Sequence, residues 1–446
     1  MSRRNFTLLI IITGIIVMLI VGFLYSRNTP TSPTGGDSGT NFLARFNPFG
    51  NNTDTTTDNE NEPVDITGET PTETPTQSAE IKLRKISSVP VAGFNIFLKE
   101  RLKEIPVITP EVTTTETTTP APKKTTKPTP PPTEFAQATR YVDRKTGNIY
   151  QLFLDKLEER RFSTTIIPKV YESIFVNKNN SILMRYLKPD ARTIETFLGG
   201  IPKEVLGADT DTNEIKGIFL SDNITDLSLS PDSSKIFYLL NAGESVVGTV
   251  LDIATNKKTQ VFDSPFTEWL SFWPNASMVT LTTKPTAFVQ GHMYTLNPTT
   301  KSFSRVLGDI AGLTTLTSPN GKLVLYGDSS LSLSTYDVAK KTSTSLGLRT
   351  MPEKCVWGSV SDVVYCAVPK LPTGAEYPDS WYQGEVSFSD QIWKINIITG
   401  NTELISDPFI ASGEEVDGIK LSLDTSQKYL LFVNKKDSFL WKLDLN

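Results

Sequence analysis

A repeating pattern of short strands restricts the fold of this 446-residue chain more than any other feature. Its clearest element is an apolar run, a turn rich in Pro, Asp, Asn or Ser, and a second apolar run, as in ITDLSLSPDSSKIFYLL from Ile224 and LTTLTSPNGKLVLYG from Leu313. A second kind of hairpin follows, with a small turn and a more polar final strand, as in VLDIATNKKTQVF. Four antiparallel strands repeated about every 45 residues indicate a β-propeller, in which each four-stranded blade packs against its neighbours.

The number of predicted strands indicates seven blades. Five complete units lie between residues 170 and 406, and two incomplete units flank them. The C-terminal unit, residues 416–446, lacks a fourth strand, and the N-terminal unit, residues 139–163, lacks a first strand. We therefore look for two further strands upstream.

One upstream segment can complete both units. Residues 81–87 resemble fourth strands that run into a Pro, and residues 91–98 resemble a first strand. We predict an all-β, seven-bladed propeller over residues 81–446, closed by pairing of residues 81–87 with residues 439–443. Such closure removes an open sheet edge that would otherwise favour aggregation. The alternative is six blades and a separate hairpin.

The N-terminus contains a candidate membrane anchor. Phe6 to Tyr25 is an uncharged run of 20 residues, and a helix of that length spans the ~30 Å hydrocarbon core of a bilayer. Arg3 and Arg4 precede the run and an acidic stretch follows it, so the positive-inside rule keeps the N-terminus in the cytoplasm and exports the rest. The alternative is a cleaved signal peptide, but no small-x-small cleavage site follows the run. We predict an uncleaved single-pass anchor in residues 1–27 and a propeller outside the plasma membrane.

Two regions have a composition that is too polar for a core. Residues 28–80 are rich in Thr, Pro, Asn, Gly and acidic side chains, which predicts a flexible tether. Within it, NFLARFNPFG carries Phe42, Phe46 and Phe49, either as a short docking motif or as an incidental contact with a lipid surface. The second region, residues 99–138, contains a Pro/Thr-rich tract and is predicted to be an exposed insertion.

Cys355 and Cys366 are predicted to face each other across one hairpin. They are symmetric about its turn, and directly opposed residues at a non-hydrogen-bonded position have Cα atoms about 4.5 Å apart. That separation suits a disulfide, and an exported location permits oxidation. The alternative is a pair of buried thiols.

An insert between Val368 and Gln391, which we place in the fifth of the seven blades, supplies the candidate binding residues. Its aromatic and hydrogen-bonding side chains suit contacts with a glycan or a peptide. These candidates are Tyr377, Asp379, Trp381, Tyr382 and Gln383, with Glu385 beside them. The alternative is a loop that places Trp381 over the channel mouth as a plug.

Propeller topology assigns these insertions to faces. The first strand of each blade runs from the top face to the bottom face, so connections between second and third strands lie at the top. The insert is therefore expected at the top, with Trp381 and Tyr382 on the rim and free to meet a partner. The tether and residues 99–138 are expected at the bottom.

The SPDSSKIFYL type of turn, with the blade length, resembles TolB-like and WD-repeat-like propellers over residues 81–446. With the anchor, the tether and the YPDSWYQGEVSFSD insert, the pattern is also similar to uncharacterised membrane-anchored propellers of small-genome bacteria. The resemblance implies a fold and no particular reaction. The Gly-His and Trp-Asp dipeptides of true WD repeats are missing apart from Gly291-His292, so an intracellular scaffold role is not implied.

Several kinds of chemistry are excluded by composition. One His and two Cys cannot build a His/Cys zinc cage or a haem site, so no metal or cofactor is predicted. Residues 81–446 carry no net charge and no basic run, which argues against nucleic acid, and no P-loop or GxGxxG motif supports a nucleotide. There is no GxSxG motif, and His292 has no nearby nucleophile in sequence, so we interpret it as a packed or surface imidazole.

These observations favour a non-enzymatic recognition or scaffold module that binds a protein or an envelope polymer outside the cell membrane. The alternative is a carbohydrate-active propeller enzyme that uses Asp and Glu residues from loops distant in sequence.

Overall fold

The computed structural model describes residues 82–103, 132–204, 206, 210, 213–372 and 374–445. Within these ranges the chain forms seven four-stranded antiparallel sheets, which are the blades of a β-propeller. The prediction of seven blades is confirmed, and the six-bladed alternative is wrong. No helix in the described ranges is both long and apolar enough to cross a bilayer. The predicted anchor and tether, residues 1–27 and 28–80, lie outside the described residues.

The strands follow one another around the ring in chain order, except that the first strand, β1 (Leu83–Lys85), belongs to the last blade. Blades 1 to 3 contain β2 (Val91–Leu102), β3 (Thr133–Asp143), β4 (Ile149–Phe153), β5 (Arg160–Arg161), β6 (Val170–Val176), β7 (Ser181–Leu187), β8 (Ile194–Gly200), β9 (Lys216–Phe219), β10 (Ile224–Leu229), β11 (Lys235–Ala242), β12 (Ser245–Asp252) and β13 (Lys257–Ser264). Blades 4 to 6 contain β14 (Trp269–Asn275), β15 (Met278–Thr283), β16 (Gln290–Leu296), β17 (Phe303–Ala311), β18 (Thr314–Thr317), β19 (Leu323–Gly327), β20 (Ser332–Asp337), β21 (Thr342–Arg349), β22 (Cys355–Trp357), β23 (Val363–Pro369), β24 (Asp390–Asn396) and β25 (Thr402–Ser406). Blade 7 contains β26 (Gly418–Leu423), β27 (Tyr429–Asn434), β28 (Leu440–Asp444) and β1.

Blade 7 is built from both ends of the propeller sequence. Leu83 pairs with Leu443 and Lys85 with Trp441 in an antiparallel register. The pairing continues past β1, because the Ile86 amide donates to the Leu440 carbonyl at 2.8 Å. The predicted closing strand is therefore confirmed.

The burial of each strand follows its composition. Second strands such as β11 and β27 are mostly apolar because neighbouring blades cover both of their faces. In β11, Ile236, Phe237 and Leu239 are fully buried, and in β27 so is Phe432. The fourth strand β21, in contrast, is mostly exposed at the solvated edge of its blade.

The ends of blade 7 identify the two faces of the propeller. The chain reaches β1 through Lys82, whose carbonyl accepts a hydrogen bond from the Asp444 amide at the C-terminal end of β28. We call this end the bottom face. Lys435 follows the last residue of β27 at the opposite end, the top face, and its Nζ donates to the Trp381 carbonyl at 2.7 Å. The described chain thus begins at the bottom, whereas Trp381 lies at the top.

Blade 1 carries a hairpin that is longer than the sequence predicted. β2 and β3 contain 12 and 11 residues, and their ladder continues to the pair of Leu102 with Thr133. We call residues 98–102 and 133–137 the hairpin extension. Their alternating apolar and polar residues continue the strand pattern into the region that we assigned to an insertion.

Candidate functional site

The insert lies across the top of the channel and belongs to blade 6, not to the fifth blade as predicted, because β2 to β5 form a complete blade before the five repeats. We call residues 374–389 the plug; it contains the short helix α1 (Asp379–Tyr382). The Asp379 carboxylate accepts a hydrogen bond from the Ala287 amide of blade 4 at 2.7 Å, and the Trp381 carbonyl accepts one from Lys435 of blade 7. The plug belongs to blade 6, and these contacts with blades 4 and 7 hold it over the channel mouth.

Two of the predicted binding residues lie inside the plug. Tyr377 and Trp381 are 3% and 4% exposed, and they form an apolar cluster with Phe388, Leu331 and Met351. The Trp381 ring stacks on Phe388 with ring centroids 6.3 Å apart. The expectation that Trp381 lies on the rim, free to meet a partner, is therefore corrected, because packing against these residues buries it. The structure favours the alternative of a plug.

A buried ion cluster of Lys354, Asp390 and Asp417 lies beneath the plug. All three side chains have no exposed surface. The Lys354 Nζ is 2.8 Å from Asp390 Oδ2, is paired with Asp417 Oδ1, and donates to the Gly418 carbonyl at 3.1 Å. A buried lysine is rare unless it is paired, and here a carboxylate on each side compensates its charge.

Asp417 connects this cluster to the plug. Its Oδ2 accepts from the Trp381 Nε1 at 2.9 Å, the Phe388 amide at 3.1 Å and the Ser387 hydroxyl at 3.2 Å. Although burial acts in the opposite direction, the Lys354 ammonium and these donors hold the pKa of Asp417 below its usual value. The plug is therefore fixed from its inner side by an ionised carboxylate.

The pKa of Asp390 is shifted in the opposite direction from that of Asp417. Burial raises the pKa of Asp390 to about 6, and repulsion from Asp417 acts in the same direction against the attraction of Lys354. Its Oδ2 accepts from the Gly418 amide at 2.7 Å, whereas its Oδ1 is buried without a hydrogen-bond partner among the described residues. A proton on Asp390 leaves Lys354 and Asp417 as a neutral pair.

A cavity of about 460 Å³ lies in the channel beside the plug. The first strands of blades 3 to 5, β10, β14 and β18, supply most of its wall, and Tyr382 and Glu353 close it from the plug side. The wall combines apolar side chains with hydroxyl groups. These residues are Leu270, Phe272, Leu313 and Leu316, together with Ser271, Thr280, Thr282, Thr314 and Thr315.

Two carboxyl groups border this channel cavity. Asp226 Oδ2 accepts from both the amide and the hydroxyl of Ser271 at 2.6 Å, yet burial raises the pKa of Asp226 to about 6. Glu353 accepts a hydrogen bond from the Tyr382 hydroxyl, and burial raises the pKa of Glu353 and, well above its usual range, that of Tyr382. The cavity can therefore offer a carboxyl that gains or loses a proton near neutral pH.

Sequence reasoning missed Asp226, Glu353 and Lys354. In the sequence, ITDLSL has one acid in a strand and MPEKC has two charges in a turn, and both patterns are typical of solvated positions. Only the ring arrangement brings them together. Of the other candidates, Asp379 contacts blade 4, whereas Gln383 and Glu385 lie on the exposed surface of the plug.

The two cysteines lie at the start of blade 6, directly after Lys354. Cys355 and Cys366 are register partners of β22 and β23, and in the structure they form a disulfide with Cα atoms 4.1 Å apart. His292 is partly exposed, and its Nδ1 lies 3.9 Å from Asp309 Oδ1. Neither feature borders the channel cavity.

These features define a seven-bladed β-propeller with a plugged channel. No family model and no curated protein matches the sequence. Solved structures with a similar fold include TolB from Acinetobacter baumannii, with 13% identity and a TM-score of 0.40, covering 69% of this chain and 76% of that one. They also include an oligogalacturonate lyase in complex with manganese, with 12% identity and a TM-score of 0.44, covering 70% of this chain and 93% of that one. An oligogalacturonate lyase from Vibrio parahaemolyticus has 11% identity and a TM-score of 0.46, covering 69% and 86%.

Proposed function

We propose that this chain is a binding or scaffold module, held outside the plasma membrane, whose top face binds an envelope protein or polymer. One observation carries the proposal: the described chain begins at the bottom face, at Lys82, whereas the plug occupies the top face. An anchor in residues 1–27 and a tether in residues 28–80 then place the bottom face toward the membrane. The top face stays accessible to a partner.

Exposed apolar side chains at both ends of the plug support this choice of face. At the blade 6 end, Leu371 is 87% exposed and Ile410, in the short helix α2 (Pro408–Ser412), is 81% exposed. At the blade 4 end, Phe288 is 72% exposed and follows Ala287, which is hydrogen-bonded to the plug. We call Leu371, Ile410 and Phe288 the plug rim. Exposed apolar residues mark interaction sites, and these lie beside a plug that is fixed from within, so a partner could bind there with little loss of entropy.

A pair of matched variants tests the proposal. Leu371→Ser/Ile410→Ser alters the top end of blade 6, and Val360→Ser/Ile398→Ser alters its bottom end, where both residues are also strongly exposed, at 70% and 79%. Full-length protein would be cross-linked in membranes and purified by affinity, and captured partners would be quantified by mass spectrometry.

We expect the rim variant to lose at least tenfold of the specific partner and the bottom variant to retain it. Equal recovery by the two variants, with both folded, would contradict the top-face proposal. Recovery only from cells that release the propeller into the cytoplasm would contradict the extracytoplasmic placement.

The channel cavity favours a second candidate, a carbohydrate-active enzyme. Asp226 and Glu353 border one cavity, burial raises the pKa of both, and glycoside cleavage uses a pair of carboxyl groups, one of them an acid with a raised pKa. Purified full-length protein would be incubated with a panel of acidic and neutral glycans, and new ends of the sugar chains would be measured. Activity that is lost in both Asp226→Asn and Glu353→Gln would support this candidate, and no turnover of any glycan would count against it.

A further inference from the structure

The channel cavity contains two carboxyl groups that have no ion-pair partner among the described residues. Asp226 and Glu353 both border it. Asp226 accepts hydrogen bonds from Ser271 on Oδ2, and Glu353 accepts one from Tyr382 on Oε1. Within the described part of the chain, the second oxygen of each carboxyl group has no hydrogen-bond donor. Each group can therefore accept a further donor from a ligand.

The cations nearest to these carboxyl groups are paired with other acids. Arg185 attracts Asp226, but its Nη1 lies 2.6 Å from the Glu172 carboxylate. Lys354 attracts Glu353, but its Nζ is held between the two aspartates of the buried ion cluster.

The lysine at the edge of the cavity is also paired. Lys284 lies 2.8 Å from Glu268, and its side chain is 62% exposed, which shows that the cavity reaches the surface there. The cavity therefore contains acidic groups whose charge none of the described cations compensates directly.

The two carboxyl groups also repel each other. Burial is the main cause that raises the pKa of Glu353, and the charge of Asp226 acts in the same direction. Burial likewise raises the pKa of Asp226 to about 6, and the charge of Glu172 adds to this effect. Such repulsion is strong only between charges that are close together and poorly screened by water. A positive charge placed in the cavity would remove it.

The cavity wall indicates which kind of cation would fit. A volume of about 460 Å³ lies within the range of small-molecule sites, and Leu270, Phe272 and Leu313 give it apolar surface. Thr314 borders the same cavity and is 2% exposed, and its hydroxyl has no hydrogen-bond partner among the described residues. A buried hydroxyl normally has a partner, and a ligand would supply one. The wall therefore suits a molecule with both an apolar part and a polar group.

A metal ion fits this wall less well. Ca²⁺ takes about six to eight oxygen ligands, and Mg²⁺ requires a near-ideal octahedron of oxygens. Among the described residues no group of three or more His, Cys, Asp or Glu side chains is placed to hold a metal. Two carboxyl groups beside leucine and phenylalanine side chains instead match an ammonium group attached to a hydrocarbon part.

We infer that the channel cavity binds a small organic cation, a primary ammonium group on an apolar chain or ring, with Asp226 and Glu353 as its counter-ions. An ammonium group has three donors, which suits the carboxyl oxygens that lack one. The apolar part would pack against Leu270 and Phe272. Tyr382 belongs to the plug, so the ligand would lie beside it. This binding goes beyond the proposed function, because it requires neither a partner on the plug rim nor cleavage of a glycan.

Three probes of similar shape and different charge test the inference. Full-length protein in detergent is titrated with phenethylamine, phenethyl alcohol or hydrocinnamate, and binding is measured by calorimetry. We expect phenethylamine to bind at least tenfold more tightly than the alcohol, and hydrocinnamate not to bind, because the carboxyl groups repel an anion. Equal binding of the amine and the alcohol, or no binding of the amine, would overturn the inference.

A pair of matched variants locates the binding. Asp226→Asn/Glu353→Gln keeps the shape of both side chains and should weaken phenethylamine binding at least tenfold. Glu158→Gln/Glu244→Gln removes the same charge from exposed positions and should leave binding unchanged. Thermal unfolding checks that both variants fold. Equal binding by the two variants would place the amine elsewhere and overturn the inference, whereas the comparison of probes on the wild type does not depend on how either variant folds.

The pH dependence gives an independent measurement of the same contact. Phenethylamine should bind at least fivefold more tightly at pH 7.5 than at pH 5, because Asp226 loses its proton near pH 6 and the amine keeps its own. An affinity that is unchanged or lower at pH 7.5 would overturn the inference.

A last titration identifies the source of the ammonium group. A short peptide with one lysine competes with phenethylamine if the natural ligand is a protein side chain, and the same peptide with norleucine should not compete. Binding of phenethylamine without competition by the lysine peptide would identify a free amine. Competition by both peptides to the same extent would overturn the inference, because the charge would then contribute nothing.

Discussion

The plug and the hairpin extension each lengthen a connection within a blade, but the apolar side chains of the plug are buried and those of the extension are exposed. In the plug, Tyr377 and Trp381 are almost completely buried. In the extension, Leu98 and Phe135 are 55% and 69% exposed. Both segments carry aromatic and charged residues, so composition alone does not account for the difference.

What differs is the set of partners that other blades supply. Asp417 precedes the first strand of blade 7 and accepts three hydrogen bonds from the plug, while Lys354 compensates its charge from below. The extension has charged partners on its inner side only, at Glu204 and Asp155. A loop inserted into a blade becomes buried where neighbouring blades supply buried polar groups whose charges are paired. Where they supply none, the apolar side chains of the loop stay exposed to solvent.

The largest expected effect concerns β1, because this strand closes the ring of blades that carries both the plug and the hairpin extension. Deleting residues 1–88 removes β1 with Leu83 and Ile86, which are 2% and 7% exposed, and leaves the edge of β28 open. Losing two buried apolar side chains and their ladder should lower the free energy of unfolding by about 5 kcal/mol or more. Thermal unfolding compared with a deletion of residues 1–78 measures this, and equal melting temperatures would contradict the closure.

The next effect compares a lysine at the top with one at the bottom. Lys354→Met leaves Asp390 and Asp417 buried without their cation, which should cost about 3–5 kcal/mol. Lys99→Met should cost about 1 kcal/mol or less, because Glu204 keeps Arg140 and Arg160 as partners. Burial and these two arginines already lower the pKa of Lys99 to about 7. Urea unfolding measures both costs; similar values would remove the distinction between the faces.

The pH dependence of stability should come partly from Asp390. Its pKa is raised to about 6 in the folded protein, so the folded state binds this proton more tightly than the unfolded state. Its contribution is therefore present at pH 4 and is lost as the pH rises through about 6, by on the order of 3 kcal/mol for a shift of about two units. Unfolding of the wild type and Asp390→Asn between pH 4.5 and 7.5 tests this. The variant should show a smaller fall in stability with rising pH.

Limited proteolysis shows whether the loss of stability on deprotonation of Asp390 is located in the plug. If the plug is the affected element, cleavage within residues 374–389 should increase with pH in the wild type and depend less on pH in Asp390→Asn. Asp226→Asn is the matched control, since Asp226 has a similarly raised pKa but borders the cavity and not the ion cluster. If Asp226→Asn also abolished the pH dependence of plug cleavage, that pH dependence could not be attributed to Asp390.

The smallest effect concerns Cys355 and Cys366. Mass spectrometry without reductant should show the two residues linked, and reduction should lower the free energy of unfolding by about 2 kcal/mol, because the closed loop is short. The Cys355→Ala/Cys366→Ala variant should be insensitive to reductant. Two alkylatable thiols in the exported protein would show that the disulfide does not form there.

Much of the fold could be predicted because each blade is local in sequence. The turn in SPDSSKIFYLL and the apolar second strands are readable within about 20 residues, and counting them led to β1 as the missing strand. The register of Cys355 with Cys366 follows from the same hairpin symmetry. The alternation of FNIFLKERL could also have extended β2 to Leu102, but the Pro/Thr composition nearby outweighed it in our interpretation.

The site could not be predicted because its partners are distant in sequence. Lys354 and Asp417 are in contact although they are 63 residues apart in sequence. The Asp379 carboxylate and the Ala287 amide are 92 residues apart. A charged residue in a turn carries no sign that another blade will bury it. The aromatic content of the insert identified the right segment, but its burial depends on Asp417 and Lys435, which belong to another blade.

The closing of the ring by β1 has a consequence for biosynthesis. Among the described strands, β1 is made first and its partner β28 last, so β1 must wait for this partner until translation is almost complete. The other six blades can form from neighbouring segments as they emerge, whereas blade 7 requires contacts of the highest contact order in the molecule. We therefore expect a prematurely terminated chain that lacks β28 to leave β1 without its strand partner.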